Sequence, residues 1–263
     1  MKIGRRSALF GAALIALLPA AAAAQETTEF DRMMEQKTIR AGAVEAKPWF
    51  QKDFATGEWT GLVPDILDAV FEPQGIKVEY VETQWGTAVA GLQSQRFDLM
   101  GAYNETPERA EAIDFTDEIG GLRLSILTLE GEAESFDSWE KINSPEVKLA
   151  VIDGSGAARI LQPKLTETSW VVVPSSDGMF LELESGRVDA LVTSDAQIAD
   201  YLNSRGRGTM IIPEPVERQP TNIGLRKSGD QKLHDWLDAE LARLEASGAM
   251  DEIWAKYTTV AAD

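Results

Sequence analysis

The sequence has no cysteine and only one histidine, His234. The lack of cysteine excludes disulfides, thiol catalysis and a lipid anchor attached through sulfur. It also leaves no cluster of thiolate and histidine ligands for a metal ion, and no Ser-His-Asp set is indicated around His234. We therefore predict a protein with no metal and no cofactor, in which His234 has a structural role.

Positive charge is also scarce, because 25 lysine and arginine residues are set against 43 aspartate and glutamate residues, for a net charge of −18. Such a surface repels phosphate backbones and anionic lipids, which argues against nucleic acids and membrane surfaces as partners. The acidic balance favours solubility. It says little about the charge of a ligand, since a cleft can differ from the surface around it.

Long apolar runs are missing except near the N-terminus. There a charged start precedes the run Ala8–Leu18, which is short for a membrane span, and Ala22 and Ala24 fit an A-x-A cleavage motif. We assign residues 1–24 as a signal peptide, which predicts a soluble periplasmic protein. The adjacent Arg5 and Arg6 leave export by the twin-arginine route open as an alternative.

The first half of the mature chain alternates between two periodicities. Strand patterns at Thr38–Val44, Lys77–Val81 and Arg96–Met100 are separated by helical patterns at Leu62–Phe71 and Trp85–Gln95. A β-α-β-α-β order predicts a parallel sheet covered by helices, and hence an α/β fold.

The pattern then restarts after a long apolar strand, Leu122–Leu129, with a new strand at Val147–Ile152. A short internal repeat supports two similar units: Leu92–Asp98 and Leu183–Asp189 share the pattern L-x-S-x-R-apolar-D, each at a predicted helix end and strand start. With only two copies, this predicts two lobes rather than a solenoid. An amphipathic helix at Gln231–Glu245 follows, and a last short helix is predicted at Ala249–Tyr257.

A possible anion site lies within Phe97–Asp117, where a short strand leads into a helix start. Thr106 can cap the helix and Pro107 suits its first position. Arg109 follows in the first turn, so its guanidinium fork adds to the free N–H groups and favours a carboxylate. The alternative is that Arg109 pairs with a neighbouring acid such as Glu105 or Asp114.

The segments Thr-Pro-Glu-Arg-Ala and Asp-Phe-Thr-Asp, with this order of elements, resemble the amino-acid-binding family of ABC-transporter solute-binding proteins, family 3. The resemblance implies a two-lobe, type II periplasmic-binding fold with a two-strand hinge near Leu122 and 215–221, and a ligand cleft between the lobes. Residues 25–123 and 215–263 would form lobe 1 and residues 124–214 lobe 2. In that family the arginine of this motif clamps the ligand's α-carboxylate, which assigns that role to Arg109.

The resemblance also assigns ligand contacts in lobe 1. The ring of Trp85 would pack on the ligand, with a core position as the alternative, and Trp49 would supply a second aromatic. Lys47 stands where the family has a tyrosine and would meet a second carboxylate or remain solvated. Three residues before the arginine turn would offer backbone groups and an amide to the ligand: Gly101, Ala102 and Asn104.

In lobe 2 a glycine-rich turn opens a predicted helix, and its N–H groups favour an anion. Ser155, Gly156 and Ala157 belong to it, although Gly156 replaces a hydroxyl residue of the family pattern. A nucleotide phosphate loop is the competing interpretation, but its lysine is absent. Asp195 resembles the aspartate that pairs with the ligand's ammonium. A longer preceding loop leaves a register shift open, with Thr193 or Ser194 taking part instead.

These assignments predict a monomeric receptor, not an enzyme, that captures a small zwitterion, an amino acid or derivative, and delivers it to an ABC permease in the inner membrane. One alternative is a periplasmic enzyme on the same fold, similar to cyclohexadienyl dehydratase, which needs an acidic catalytic group. A ligand-sensing module is the other.

Overall fold

The computed structural model describes residues 28–129, 133–227 and 231–258. The predicted signal peptide lies outside these residues. The helices of the described part are α1 (Glu29–Gln36), α2 (Leu62–Phe71), α3 (Ala88–Gln93), α4 (Pro107–Ala112), α5 (Trp139–Ile142), α6 (Gly156–Leu161), α7 (Ser176–Glu184), α8 (Asp195–Arg205), α9 (Lys232–Ser247) and α10 (Ala249–Thr258). None of these helices combines the length and the apolar character needed to cross a bilayer.

The strands are short and fall into three sheets. They are β1 (Thr38–Ala43), β2 (Gln51–Lys52), β3 (Trp59–Thr60), β4 (Lys77–Glu82), β5 (Leu99–Tyr103), β6 (Ile113–Phe115), β7 (Gly121–Thr128), β8 (Lys148–Ile152), β9 (Ser169–Val173), β10 (Ala190–Ser194), β11 (Thr209–Ile211), β12 (Arg218–Pro220) and β13 (Asn222–Arg226). β2 and β3 form a small antiparallel hairpin.

The first large sheet has the order β4-β1-β5-β13-β6. β1 pairs in parallel with both β4 and β5, which confirms the predicted β-α-β-α-β unit. β13 and β6 add an antiparallel edge. The sequence pattern did not predict β6, because three residues are too few to show alternation. The predicted helix from Trp85 begins instead as a single 3₁₀ turn, Trp85–Thr87, and α3 follows it.

The second large sheet has the order β11-β7-β10-β8-β9, with β12 paired to β7. β8 pairs in parallel with β10 and with the edge strand β9, while β7 runs antiparallel to β10 and β11. The chain enters this sheet along β7 and returns along β12, with Pro220 opposite Gly121. The two predicted hinge strands therefore lie side by side. The residue boundaries of the lobes remain a prediction.

The internal repeat has the same structure in both copies at the helix end. Ser94 Oγ donates to the carbonyl oxygen of Ala90 at 2.7 Å, and Ser185 Oγ donates to that of Leu181 at 2.7 Å. The next residue is left-handed in each copy, with φ 59° at Gln95 and 67° at Gly186. The repeat thus encodes one way of ending a helix, used once in each lobe.

The aspartate that ends each copy joins the following strand to its parallel neighbour. Asp98 N donates to the carbonyl of Arg40 at 2.8 Å, and its carboxylate accepts from Arg40 N at 2.9 Å. Asp189 makes the same pair of contacts with Lys148, at 2.9 Å and 2.8 Å. These contacts fix the start of β5 against β1 and of β10 against β8.

The C-terminal helices return to the first sheet. The predicted apolar stripe of α9 is buried, through Leu233, Leu237, Leu241 and Leu244, because residues at this spacing share one face of a helix. His234 Nε2 lies 2.7 Å from the carbonyl oxygen of Phe115, which links α9 to β6.

Candidate ligand-binding site

Arg109 is placed by the helix start that the sequence predicts. Thr106 caps α4 by accepting a hydrogen bond from Arg109 N, and Pro107 occupies the first helical position. The guanidinium carbon lies 3.8 Å from the centre of the Tyr103 ring. Its Nη1 donates to the carbonyl oxygen of Asn104 at 2.7 Å. Packing on the ring and this bond hold the guanidinium in a single orientation.

Arg109 also reaches across to the second lobe, where Nη2 donates to the carbonyl oxygen of Gly154 at 2.6 Å. Only 2% of the residue is exposed, and its buried Nε has no hydrogen-bond partner. Burial lowers the pKa of Arg109 to about 10, so the side chain is protonated at neutral pH.

No carboxylate in the described part of the chain forms an ion pair with Arg109, so the alternative pairing with Glu105 or Asp114 is not seen. A buried cation without a counter-ion is costly. Arg109 is not among the residues that line either cavity, and the carbonyl of Gly154 occupies the position beside Nη2 where an anion would bind.

A small cavity of about 40 Å³, the inner cavity, lies between the two lobes. At roughly 10–15 Å³ per water, it has room for about three water molecules, so the crevice is narrow in this state. The inner cavity is lined by Ala46, Trp49, Trp85, Ala102, Asn104, Ile152, Ser155, Gly156, Ala157, Thr193, Ser194, Gln197 and Gln219.

Most of the predicted site residues lie on this lining: Trp49, Trp85, Ala102, Asn104, Ser155, Gly156 and Ala157. Trp85 is 7% exposed and stacks on Tyr103 with ring centres 6.3 Å apart. Trp49 meets the edge of Trp254 at 6.0 Å. Both tryptophans are thus packed from behind and present one side to the cavity, so the core and ligand interpretations of Trp85 are compatible.

Two amides fill the space that a side chain at residue 156 would need. Gln219 Nε2 donates to Asn104 Oδ1 at 2.6 Å, and Asn104 Nδ2 donates to the carbonyl of Pro220. A Cβ on residue 156 would overlap both Gln219 Nε2 and Asn104 Oδ1. The space of the missing hydroxyl side chain is therefore taken by this amide pair. Sequence analysis missed Gln219, which lies 115 residues from Asn104 on the returning strand β12.

Asp195 pairs with Arg123, and its predicted role at a ligand ammonium stays a prediction. Its Oδ2 accepts a hydrogen bond from Arg123 Nε at 2.7 Å, and its Oδ1 accepts from Ala196 N at 2.9 Å. It is not among the residues that line the inner cavity. Ser194 caps α8, and Thr193 and Ser194, the alternative that the longer loop left open, line the inner cavity.

Gln197 was also missed, although its position three residues after the cap Ser194 puts it on the same face of the helix start. Its side chain is 4% exposed.

Gly101 and Lys47 also lie away from the inner cavity. A Cβ on Gly101 would overlap the side chain of Val63, so this glycine lets α2 approach β5. Lys47 is exposed and lines a larger outer cavity of about 680 Å³. The outer cavity shares Ala46 and Gln197 with the inner one. The carboxylates that also line it are Glu45, Asp177, Glu184 and Asp200.

Comparison with known proteins agrees with this geometry. The model of the bacterial extracellular solute-binding proteins, family 3, matches residues 39–260. An L-cystine-binding protein of Bacillus subtilis is 27% identical over 218 residues, which cover 80% of this chain and 77% of the relative. A cyclohexadienyl dehydratase of Pseudomonas aeruginosa is 25% identical over 254 residues, which cover 93% of this chain and 92% of the enzyme.

Among solved structures, an ancestral amino acid-binding protein, described as a precursor of cyclohexadienyl dehydratase, matches with a TM-score of 0.79. It is 29% identical, and the match covers 88% of this chain and 100% of that one. The likeness confirms the predicted two-lobe α/β fold.

Proposed function

Because the chain belongs to family 3 of the bacterial extracellular solute-binding proteins, we propose that it is a periplasmic receptor for a small carboxylate solute. The solute is an amino acid or a close derivative, and the receptor delivers it to an ABC permease in the inner membrane. The relatives that bind amino acids support this class of solute.

The observation that carries the proposal is the buried guanidinium of Arg109, which does not line the inner cavity but donates to the carbonyl of Asn104, a residue that does. The guanidinium has no carboxylate partner among the described residues and joins the lobes through Gly154. Opening the lobes breaks the bond to Gly154 and frees Nη2. A solute carboxylate then accepts from the guanidinium, which forms hydrogen bonds in a planar fork that matches a carboxylate.

Closure follows from contacts that only the closed form makes. The solute would bring Trp85 and Asn104 of lobe 1 against Ser155 of lobe 2, and these added contacts favour the closed lobes. The closed form is then the one that the permease receives.

The lining of the inner cavity favours a receptor over a dehydratase. Elimination of water needs a group that can donate or accept a proton at the reacting bond. None of the residues that line the inner cavity within the described ranges is an aspartate, glutamate, histidine, lysine or tyrosine. We expect no product from prephenate or arogenate, and measurable turnover of either compound would establish the enzyme instead.

The test of the receptor is a thermal-shift screen of small carboxylates, with and without an amino group, on the mature protein. A ligand at a hundredfold excess over its dissociation constant adds about 2.7 kcal/mol of stability. Arg109→Lys keeps the charge but loses the fork, so it should lose most of the shift, while Arg207→Met on the exposed surface should keep it. A full shift in Arg109→Lys, or shifts only with solutes that lack a carboxylate, would contradict the proposal.

A further inference from the structure

The wall that lobe 2 presents to the inner cavity is made of uncharged polar groups. Thr193, Ser194 and Gln197 are each at least nine-tenths buried. Gln197 Oε1 accepts a hydrogen bond from the Thr193 hydroxyl, and its Nε2 donates to Ser176 Oγ at 2.9 Å. A carboxamide has two N–H donors and an oxygen with two lone pairs, so Gln197 keeps one donor and one acceptor for a solute.

The nearest carboxylate in sequence is engaged elsewhere. Asp195 accepts from Arg123 Nε at 2.7 Å and is largely buried in that ion pair, with its side chain 13% exposed. The pairing neutralises its charge. An ammonium in the inner cavity would therefore meet hydroxyls and amides but no charged acceptor of the described lining.

The charges around the solute also disfavour an ammonium. Arg109 is a buried cation directly behind Asn104, and one solute carboxylate neutralises it. A zwitterion would add an ammonium, and no residue in the described lining of the inner cavity carries a negative charge to compensate it. Burying such a charge without a partner is costly, whereas a hydroxyl or keto group needs only hydrogen bonds.

We propose that the second polar group of the solute is uncharged, so that the solute is a 2-hydroxy or 2-oxo carboxylate, a derivative of an amino acid rather than an amino acid itself. Gln197 is the residue that sets this preference. The inference rests on the proposed function, since it assumes that a carboxylate binds beside Arg109.

Titration calorimetry on matched series tests the preference. The probes are alanine, leucine and phenylalanine, each beside the 2-hydroxy and 2-oxo acid with the same side chain. The tightest series should favour the uncharged form by at least tenfold, and Arg109→Lys should abolish binding of that form.

Tighter binding of the amino acids, lost in Arg109→Lys, would overturn this inference and leave the receptor function intact. Such a result would place the ammonium near the carboxylates of the outer cavity. Binding of neither series would overturn both the inference and the proposed function.

Two variants test Gln197 itself. Gln197→Glu puts a carboxylate of nearly the same shape in the wall and should shift the preference at least tenfold toward the amino acid. Gln74→Glu adds the same charge at an exposed site and should leave the preference unchanged. Gln197→Leu, checked for folding by its melting curve, should weaken the 2-hydroxy acid about tenfold. Unchanged preference in Gln197→Glu, with Gln197→Leu binding normally, would contradict the role of Gln197.

Discussion

Asp98 and Asp189 occupy equivalent positions in the two lobes but have very different surroundings. Asp98 is 1% exposed and accepts hydrogen bonds from the guanidinium groups of Arg32 and Arg40, whereas Asp189 is exposed. Burial raises the pKa of Asp98, but the hydrogen bonds from Arg40 and Arg32 more than offset burial and lower the pKa below its ordinary value. Asp98 is therefore a charged anchor of the first sheet.

We predict that Asp98→Asn lowers the free energy of unfolding by about 2 kcal/mol. Breaking a fully buried ion pair would cost more, but here both arginines are about one-third exposed to solvent. Asp189→Asn, the matched control in the second sheet, should cost less than half as much. Urea unfolding curves at pH 7 measure both changes. Equal costs at the two positions would contradict the role given to the arginines.

The lowered pKa of Asp98 also predicts a pH dependence. Because the folded value lies below the unfolded one, the stabilisation is fully present above the unfolded value of about 3.9 and is lost as the pH falls through the folded value. The difference in melting temperature between the wild-type protein and Asp98→Asn should therefore shrink below about pH 4. A difference that stayed constant from pH 7 to pH 3 would show that the charge of Asp98 is not involved.

At the scale of helices and strands, local patterns predicted most elements. The strand–helix alternation, the Thr106 cap and the leucine stripe of α9 all depend on residues a few positions apart. The contacts that shape the cavity instead join residues that are far apart in the sequence. Gln219 reaches Asn104 across 115 positions, and this pairing could not be read from either segment alone.

The shared helix ends allow a prediction about a single element. Gln95 adopts a left-handed conformation that glycine, found at the equivalent Gly186, takes without steric cost. Gln95→Gly should raise the free energy of unfolding by about 0.5 kcal/mol, and Gly186→Ala should lower it by about 1 kcal/mol. A Cβ at Gly186 would meet no atom within 4 Å, so the cost of Gly186→Ala comes from the backbone conformation alone. Destabilisation by Gln95→Gly in thermal melts would show that the Gln95 side chain matters more than its backbone angle.

At the scale of the whole molecule, side chains join the two lobes across the crevice. Arg109 binds the carbonyl of Gly154, and Glu108 of α4 pairs with Arg159 of α6. The restarting pattern predicted two lobes, and the family resemblance implied the cleft between them. The sequence did not predict how closely the lobes approach, because that depends on side chains brought together from both.

The backbones of Gly154 and Gly86 approach each other closely, since a Cβ on residue 154 would lie 2.6 Å from Gly86 N. We predict that Gly154→Ala holds the lobes apart and weakens solute binding at least tenfold, about 1.4 kcal/mol. The substitution also carries a conformational cost, because φ is 63° at Gly154.

Gly186→Ala is the matched control, since φ is 67° at Gly186 and a Cβ there would meet open space. Both variants should lose a similar amount of thermal stability. Only Gly154→Ala should bind the solute more weakly in calorimetry, and only this variant should stay expanded in X-ray scattering when the solute is present. If Gly154→Ala bound as tightly as Gly186→Ala, the approach of these glycines would not be part of closure.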